Sequence, residues 1–397
     1  MENVTPPKYV LHVLRSRKAR GYVAYLVGGC VRDMALGVYP NDWDICTSAL
    51  PEQVMEVFPK ARPTGIRHGT VTVDVNSRHV EVTTFRSEEN YTDHRHPGAV
   101  RFVGELTTDL SRRDFTINAM ALSPDGLLLD PFGGLEDIGR RCIRCVGNAP
   151  RRFEEDALRM FRALRFSARL DFGIAEDTLA AISQKAHLAS ALAPERIRDE
   201  VEKTLLTRKP EVVGQMAELG LLDAFLIGPG RRLPELSAAA SLHKKALDRW
   251  MALCIVLSRR GLISGVWDFL SALKLDSRTM RCCTDGVSIL AGPKPSNAPE
   301  WKRLLRRMGV DTVSCAARCL DALDGGKSYR ELKSVLKSGE CFTMKHLAVT
   351  GDDLAELGLK GRELGEMLAF LLDYVIDYPA NNRRELLLSL AGNTEEL

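Results

Sequence analysis

The hydrophobic pattern of this chain changes its period once, near Gly147-Asn148-Ala149-Pro150, and that change limits the folds open to it. Ahead of it, apolar residues alternate or run short, in YVAYLV before Gly28, TVTVDV from Thr70 and VEVTTF from Val80. This is the two-residue repeat of strands. Beyond it, as in DALRMFRALRFSARL and VVGQMAELGLLDAFL, apolar residues recur every three or four positions, the repeat of amphipathic helices. The expected architecture is α+β up to residue 140 and all-helical afterwards. At 397 residues the chain exceeds one ordinary core and fits two to four domains. Ile227-Gly228-Pro229-Gly230, Gly292-Pro293-Lys294-Pro295 and Gly325-Gly326 punctuate the helical part.

Composition removes several classes. With 45% hydrophobic and 27% charged residues the chain is not disordered. A net charge of +3 does not identify a polyanion partner, so any such affinity must come from local clustering of the 55 Lys and Arg. Ten scattered cysteines lack the density of a disulfide scaffold and suit the cytoplasm; Cys142 and Cys145 form a CxxC without a second pair at zinc-site spacing. No run approaches the roughly 20 apolar residues of a spanning helix, and none near the first residue suits a signal peptide. No membrane association is expected.

The chemistry concentrates in LVGGCVRDMALGVYPNDWDICTS, from Leu26. A strand runs into Gly28-Gly29, a helix-compatible segment follows, and Asn41-Asp42-Trp43-Asp44-Ile45 comes next. In a strand, residues i and i+2 share a face, which puts Asp42 and Asp44 together and Trp43 with Ile45 on the other side. Two adjacent carboxylates repel unless a cation neutralises them, and oxygen ligands at this spacing suit Mg²⁺. The glycines allow backbone to approach a phosphate, the following helix start favours an anion, and Arg32 adds a cation. Other glycine-rich phosphate sites do not fit. There is no GxGxxG, and Gly326-Lys327-Ser328 has Asp321 where a P-loop needs its first glycine.

These residues resemble the nucleotidyltransferase signature, a GG followed by DxD, and specifically the bacterial class II tRNA CCA-adding enzymes and poly(A) polymerases. The resemblance continues in order through RRDFTINAMA from Arg112, DPFGGLEDI from Asp130, EEDALRMFRALRF from Glu154 and APERIRDE from Ala193. It implies a catalytic head with a small antiparallel sheet (1–140), then an all-α neck that reads the nucleotide base (141–205), a body (206–295) and a tRNA-binding tail (296–397). The implied activity is template-independent addition of CCA to the tRNA 3′ end from CTP and ATP. The 3′-hydroxyl attacks the α-phosphate, pyrophosphate leaves, and two Mg²⁺ are held by Asp42 and Asp44. tRNA is the implied partner, and no obligatory protein partner is expected.

The resemblance makes Glu81 a candidate third catalytic carboxylate on a neighbouring strand. Gly28, Gly29 and Arg32 are candidates for the triphosphate. Arg112 and Arg113 offer guanidinium donors to phosphate, and Asp114 offers an acceptor to a ribose hydroxyl. From Glu154 a single helix is expected, with Leu158, Phe161, Leu164 and Ala168 on its apolar face and Asp156, Arg159, Arg162 and Arg165 recurring every third residue. At ~100° per residue, Arg165 falls roughly opposite Asp156 while Asp156, Arg159 and Arg162 share a flank. A carboxylate beside a guanidinium complements the amino group and ring-nitrogen acceptor of C and A and mismatches U and G. Asp156 and Arg159 are thus candidates to replace a nucleic-acid template, the role of the matching family positions, and Arg162 and Arg165 are further nucleotide-binding candidates.

Related activities compete. CC-adding enzymes lack a flexible segment between the first two motifs, whereas Arg86–Val100 is present here, which favours ATP incorporation. An A-adding enzyme working with a CC-adding partner stays open. Poly(A) polymerases carry a basic C-terminal extension, and the last five residues here, Asn393 to Leu397, are not basic. No His-Asp dipeptide marks an HD phosphohydrolase domain. A non-catalytic RNA-binding protein on the same scaffold would have lost the carboxylates. Arg259-Arg260, Lys302-Arg303 and Arg306-Arg307 are candidates for phosphate contacts.

Overall fold

The computed structural model describes residues 4–18, 20–91, 97–228 and 231–392. They form two compact units, one extending to Leu226 and the other from Leu233, with the connecting stretch divided between them. This division falls at the punctuation around Ile227-Gly228. Pro229 and Gly230 of that motif, the centre of the Arg86–Val100 segment and the last five residues lie outside the described residues.

The first unit opens with α1 (Lys8–Lys18), β1 (Ala24–Val27), α2 (Gly29–Ala35), β2 (Asp44–Thr47), α3 (Pro51–Val57), β3 (Arg62–Gly65), β4 (Thr70–Val75) and β5 (Arg78–Thr84). Next come the hairpin β6 (Arg86–Tyr91) and β7 (Pro97–Phe102), then α4 (Leu106–Ser111), β8 (Ala121–Leu122), β9 (Leu128–Leu129), α5 (Gly134–Gly139) and β10 (Cys142–Ile143). The main sheet has the order β3-β4-β5-β2-β1-β8-β9. It is antiparallel throughout except between β2 and β5, which run parallel. That exception matters, because parallel pairing fixes which side chain of β5 stands beside Asp44.

The alternation read from TVTVDV and HVEVTT decides the faces. Val71 pairs with Val82 and Val73 with Val80, all fully buried, so Thr72 and Glu81 take the other face. On that second face Val27 and Cys46 pack with Phe85, Leu110, Ala119 and Ala121. A small core thus shares the carboxylates' face of the sheet.

Helices follow as expected: α6 (Ala149–Glu155), α7 (Leu158–Leu170), then β11 (Gly173–Ile174), α8 (Glu176–Lys185), α9 (Pro194–Leu205) and α10 (Val212–Glu218). The single helix expected from Glu154 is in fact two. Asp156 is extended (φ −143°, ψ 103°) at the C-terminus of α6, and its side chain accepts from the Leu158 amide at 3.1 Å. A short acidic side chain bonding to nearby backbone competes with the helix ladder and breaks it there.

The second unit contains α11 (Ala246–Arg259), α12 (Val266–Ala272), α13 (Ser277–Ala291), α14 (Ala298–Met308), α15 (Val310–Asp324), α16 (Ser328–Ser338), α17 (Gly351–Glu356), α18 (Gly361–Asp377) and α19 (Arg384–Gly392). Trp250 is fully buried in α11, and Leu354, Leu371, Leu372, Val375 and Leu387 form a second core. The P-loop imitation is closed off: Asp321 accepts the amides of Ser328 and Tyr329 at 2.8 and 2.9 Å, where a phosphate would bind. All ten cysteines are free, so the Cys142/Cys145 pair is not a disulfide.

Candidate active site

Asp44 opens β2, and its partner in the parallel register is Glu81 of β5. Side chains at paired positions share a face, so these carboxylates stand side by side. Asp42 comes two residues earlier but in an exposed bend, not in the strand, because β2 begins only at Asp44. The period-two argument therefore does not place Asp42. The turn is anchored instead by Trp43, which is buried and meets Tyr39 edge-on at 5.8 Å.

Burial, followed by the charge of Glu81, raises Asp44 from 3.8 to about 6; Asp42 adds to the rise and Arg113 opposes it. The cluster thus holds more negative charge than its own cation cancels. That imbalance fits a divalent cation bound by carboxylate oxygens. Among the described residues no three His, Cys, Asp or Glu side chains converge as a closed metal site. Mg²⁺ is commonly held by one or two carboxylates with substrate phosphates completing its shell, so an open pair suits it.

The glycine turn fits closely over this cluster. Gly28 has φ +75°, and a Cβ there would stand 2.9 Å from Arg113 Nη1 and 3.8 Å from Asp44 Oδ2. Both conformation and space require glycine. Arg113 donates through Nη2 to Asp109 at 3.3 Å, and its buried Nε has no partner. Arg112 donates through Nε and Nη2 to Asp109 at 3.0 and 2.8 Å. Asp109 is fully buried; burial would raise its pKa, but Arg112 and Arg113 hold it below the ordinary value. Sequence reasoning missed Asp109, although its i,i+3 and i,i+4 spacing to the two arginines was a usable signal.

Arg32 lies beside the turn, its Nη2 3.6 Å from where a Gly29 Cβ would stand. It was expected to hold phosphate, yet it is 3% exposed and committed elsewhere. Nε and Nη2 donate to Asp33 at 2.9 and 2.7 Å, and Nη1 donates to Asn118 at 2.7 Å. Asn118 in turn donates to Asp114 at 3.0 Å, and Asp114 also accepts from Arg162 at 2.9 and 2.5 Å and from the Phe115 amide at 2.9 Å. The expected ribose acceptor is thus a buried junction between sheet and α7. Burial alone would raise its pKa, but Arg162 and Asn118 drive it far below the ordinary carboxylate range. Asp114 leaves little acceptor capacity for a ribose, and Arg162 faces this junction.

Asp156 and Arg159, expected to meet one base from the flank of a single helix, are held by separate partners. Asp156 pairs with Arg196 of α9 at 3.2 Å, and the Arg196 Nη1 is buried without a partner. Arg159 is buried, donating to Glu155 at 2.8 Å and to the carbonyls of Arg152 and Arg112 at 3.1 and 2.9 Å. Both still lie at the α6/α7 break, each held by its own partner. Arg196 sits in the APERIRDE segment, whose contribution could not be read without knowing where α9 packs. Arg165 does not join them: its Nε donates to buried Glu200 of α9 at 2.5 Å, and its guanidinium lies over Phe166. It ties two helices together, whereas the sequence reading counted it among the nucleotide-binding candidates.

The cationic pairs expected to meet phosphate in the second unit are largely neutralised. Arg259 is bidentate on Asp324 at 2.6 and 2.7 Å, Arg260 pairs with Glu235, Arg303 with Asp377 at 2.6 Å and Arg306 with Asp373 at 2.9 Å. Lys302 is 1% exposed, bonded to Glu340 at 2.6 Å and to the Ile376 carbonyl at 3.3 Å. No helix among the described residues is long and apolar enough to cross a membrane.

Three family models match the chain: a poly A polymerase head domain over residues 24–144, a probable RNA and SrmB-binding site of polymerase A over 171–239, and tRNA nucleotidyltransferase domain 2 over 243–391. The CCA-adding enzyme of Geobacillus sp. (strain WCH70) is 39% identical over 393 residues, covering 96% of this chain and 95% of its own. That of Geobacillus thermodenitrificans (strain NG80-2) is 43% identical over 360 residues, covering 87% and 86%. Among solved structures, the Bacillus stearothermophilus CCA-adding enzyme in complex with CTP superposes with a TM-score of 0.82 at 34% identity, covering 98% of this chain and 97% of that one.

Proposed function

The chain belongs to the family of CCA-adding enzymes, tRNA nucleotidyltransferases with a poly(A) polymerase head, and from that premise we propose how its residues carry the reaction. It is an enzyme that adds CCA to the 3′ end of tRNA without a template, using CTP and ATP. The single observation that supports the catalytic assignment best is the side-by-side placement of Asp44 and Glu81 under the Gly28 turn, with Asp42 two residues away. The relatives and the CTP-bound neighbour do not favour an A-adding enzyme or a poly(A) polymerase.

Mg²⁺ held by Asp42 and Asp44 would lower the pKa of the attacking 3′-hydroxyl and neutralise charge on the departing pyrophosphate. Glu81 adds negative charge that strengthens the cation site. Gly28 and Gly29 let the triphosphate approach the backbone, and Arg113, whose Nη1 faces Gly28, supplies the nearest guanidinium. Arg112 and Asp109 fix Arg113 in place. Arg32, Asn118, Asp114 and Arg162 act as a buttress linking the turn to α7. Asp156 and Arg159 read the amino group and ring nitrogen of C and A, Asp156 steadied by Arg196 and Arg159 by Glu155. Separate anchoring of the two groups reduces the ordering cost when a base binds. On this reading residues 1–140 supply catalysis, 141–205 the base choice, and 206–295 and 296–397 the grip on tRNA.

Incorporation of labelled CTP into tRNA tests the catalytic assignment. Asp42→Ala should lower the rate by about 10²-fold or more while tRNA binding holds. A near-normal rate in that variant contradicts it.

A further inference from the structure

Helix α16 carries a row of cations that nothing within the fold neutralises. At about 100° per residue, Arg330, Lys333 and Lys337 fall within roughly 60° of one another on the helical wheel. Buried Ser328, Leu332 and Val335 occupy the opposite side. Lys327 precedes the first turn, so four exposed cations follow one edge of a helix of 11 residues. Glu331 lies about 100° or more around the helix from Arg330, Lys333 and Lys337, and although it follows Lys327 by four residues the two form no ion pair. Among the described residues none of the four makes an ion pair, a hydrogen bond through its side chain or a ring contact.

Many arginines elsewhere in the unit are paired. Arg259, Arg278, Arg303, Arg306, Arg318 and Arg384 are all matched to aspartates. Those six arginines have their charge matched within the fold, whereas Arg330 and the three lysines of the α16 row do not. Like charges on one helix face repel, so the row costs helix stability when the protein is alone. A partner bearing regularly spaced negative charge would offset that cost. A sugar-phosphate backbone is such a partner, since cations in line displace its condensed counterions. Cations in line meet phosphates and read no base edges, so binding there would be insensitive to sequence.

Resting on the CCA-adding reading, we infer that Lys327, Arg330, Lys333 and Lys337 form a phosphate-contacting ridge that grips the tRNA backbone. The ridge contributes to tRNA affinity and takes no part in nucleotide choice or transfer.

The test replaces all four with glutamine (Lys327→Gln, Arg330→Gln, Lys333→Gln, Lys337→Gln), which keeps helix propensity close to the original. A second protein, Lys345→Gln with Lys360→Gln, removes exposed charge elsewhere in the same unit. Binding of tRNA is measured across a salt series, with kcat and the KM values for tRNA and CTP. The expected result is a KM for tRNA raised about tenfold and a log Kd against log salt slope shallower by about 3, from ~0.7 to 0.9 per lost phosphate contact. The kcat and the KM for CTP stay unchanged, and the Lys345/Lys360 protein behaves as wild type. Unchanged tRNA affinity and slope would overturn the inference while leaving CCA addition intact. An equal effect in the Lys345/Lys360 protein, or a fall in kcat matching the loss of affinity, would also overturn it. Wild-type protein that fails to extend any tRNA would sink the CCA-adding reading itself, and the ridge with it.

Discussion

Glu81 is the direct neighbour of Asp44 across the one parallel pairing in the sheet, so two carboxylates meet with Arg113 offsetting only part of their charge. In a protein folded for stability alone this is a poor arrangement, since like charges side by side oppose one another. Glu81→Gln should therefore raise the metal-free Tm slightly and lower kcat for CTP incorporation by about tenfold or more. Scanning calorimetry in chelator and a single-turnover assay separate the two effects. A normal kcat would reduce Glu81 to an ordinary sheet residue.

Asp156 and Arg196 form a pair across the helix break, and the carboxylate is the group proposed to meet the base. Asp156→Ala should cut the preference for CTP and ATP over UTP and GTP by about tenfold, the value of one lost bidentate contact. Arg196→Ala should weaken the same preference less, because it frees the carboxylate without removing it. Competition assays with all four nucleotides check both, and intact selectivity in Asp156→Ala removes it from base recognition.

Arg165 and Glu200 are buried together, and their role is to join α7 to α9. Arg165→Met leaves Glu200 buried and unpaired, at a cost of about 3 kcal/mol in chemical unfolding. Adding Glu200→Leu should recover most of that loss, since replacing both partners by apolar groups is often neutral. Nucleotide selectivity should not change in the double variant if its activity is retained. Altered selectivity there would return Arg165 to the nucleotide site.

Asp114 gives the fold a defined response to acid. Its pKa in the fold lies far below the ordinary 3.8, so its stabilising contribution is complete above that value and declines as the pH falls toward the folded pKa. Asp114→Asn should cost about 2 kcal/mol at pH 7, from lost charge-assisted hydrogen bonds to Arg162, and the gap to wild type should narrow below about pH 4. Melting curves from pH 3 to 7 check this, and a gap independent of pH would contradict the charge-based account.

Much of the architecture was legible because it depends on local periodicity. The alternation around Val71, Val73, Val80 and Val82 fixed the sheet faces, and the change near Pro150 marked the start of the helices. What escaped was set by tertiary choices that a linear pattern does not carry. The parallel direction of β2 against β5 decides that Glu81 meets Asp44, and no residue in either strand encodes it. The break at Asp156 arises from one side-chain bond to the Leu158 amide, which a helical wheel passes over. Spacing made Arg32, Asp114 and Arg165 nucleotide-binding candidates, but it could not show that Asn118, Arg162 and Glu200 hold them. For the cationic doublets from Arg259 to Arg306, charge was readable but the carboxylates that pair with them were not.

The most direct test of the central claim uses purified protein and three tRNA substrates, ending at the discriminator base, at C and at CC, with CTP and ATP supplied singly and together and the products sequenced. Ordered completion to CCA on all three, stopping there, is the predicted result. Extension only of the CC-ended tRNA, or long A tails on unrelated RNA, would contradict it.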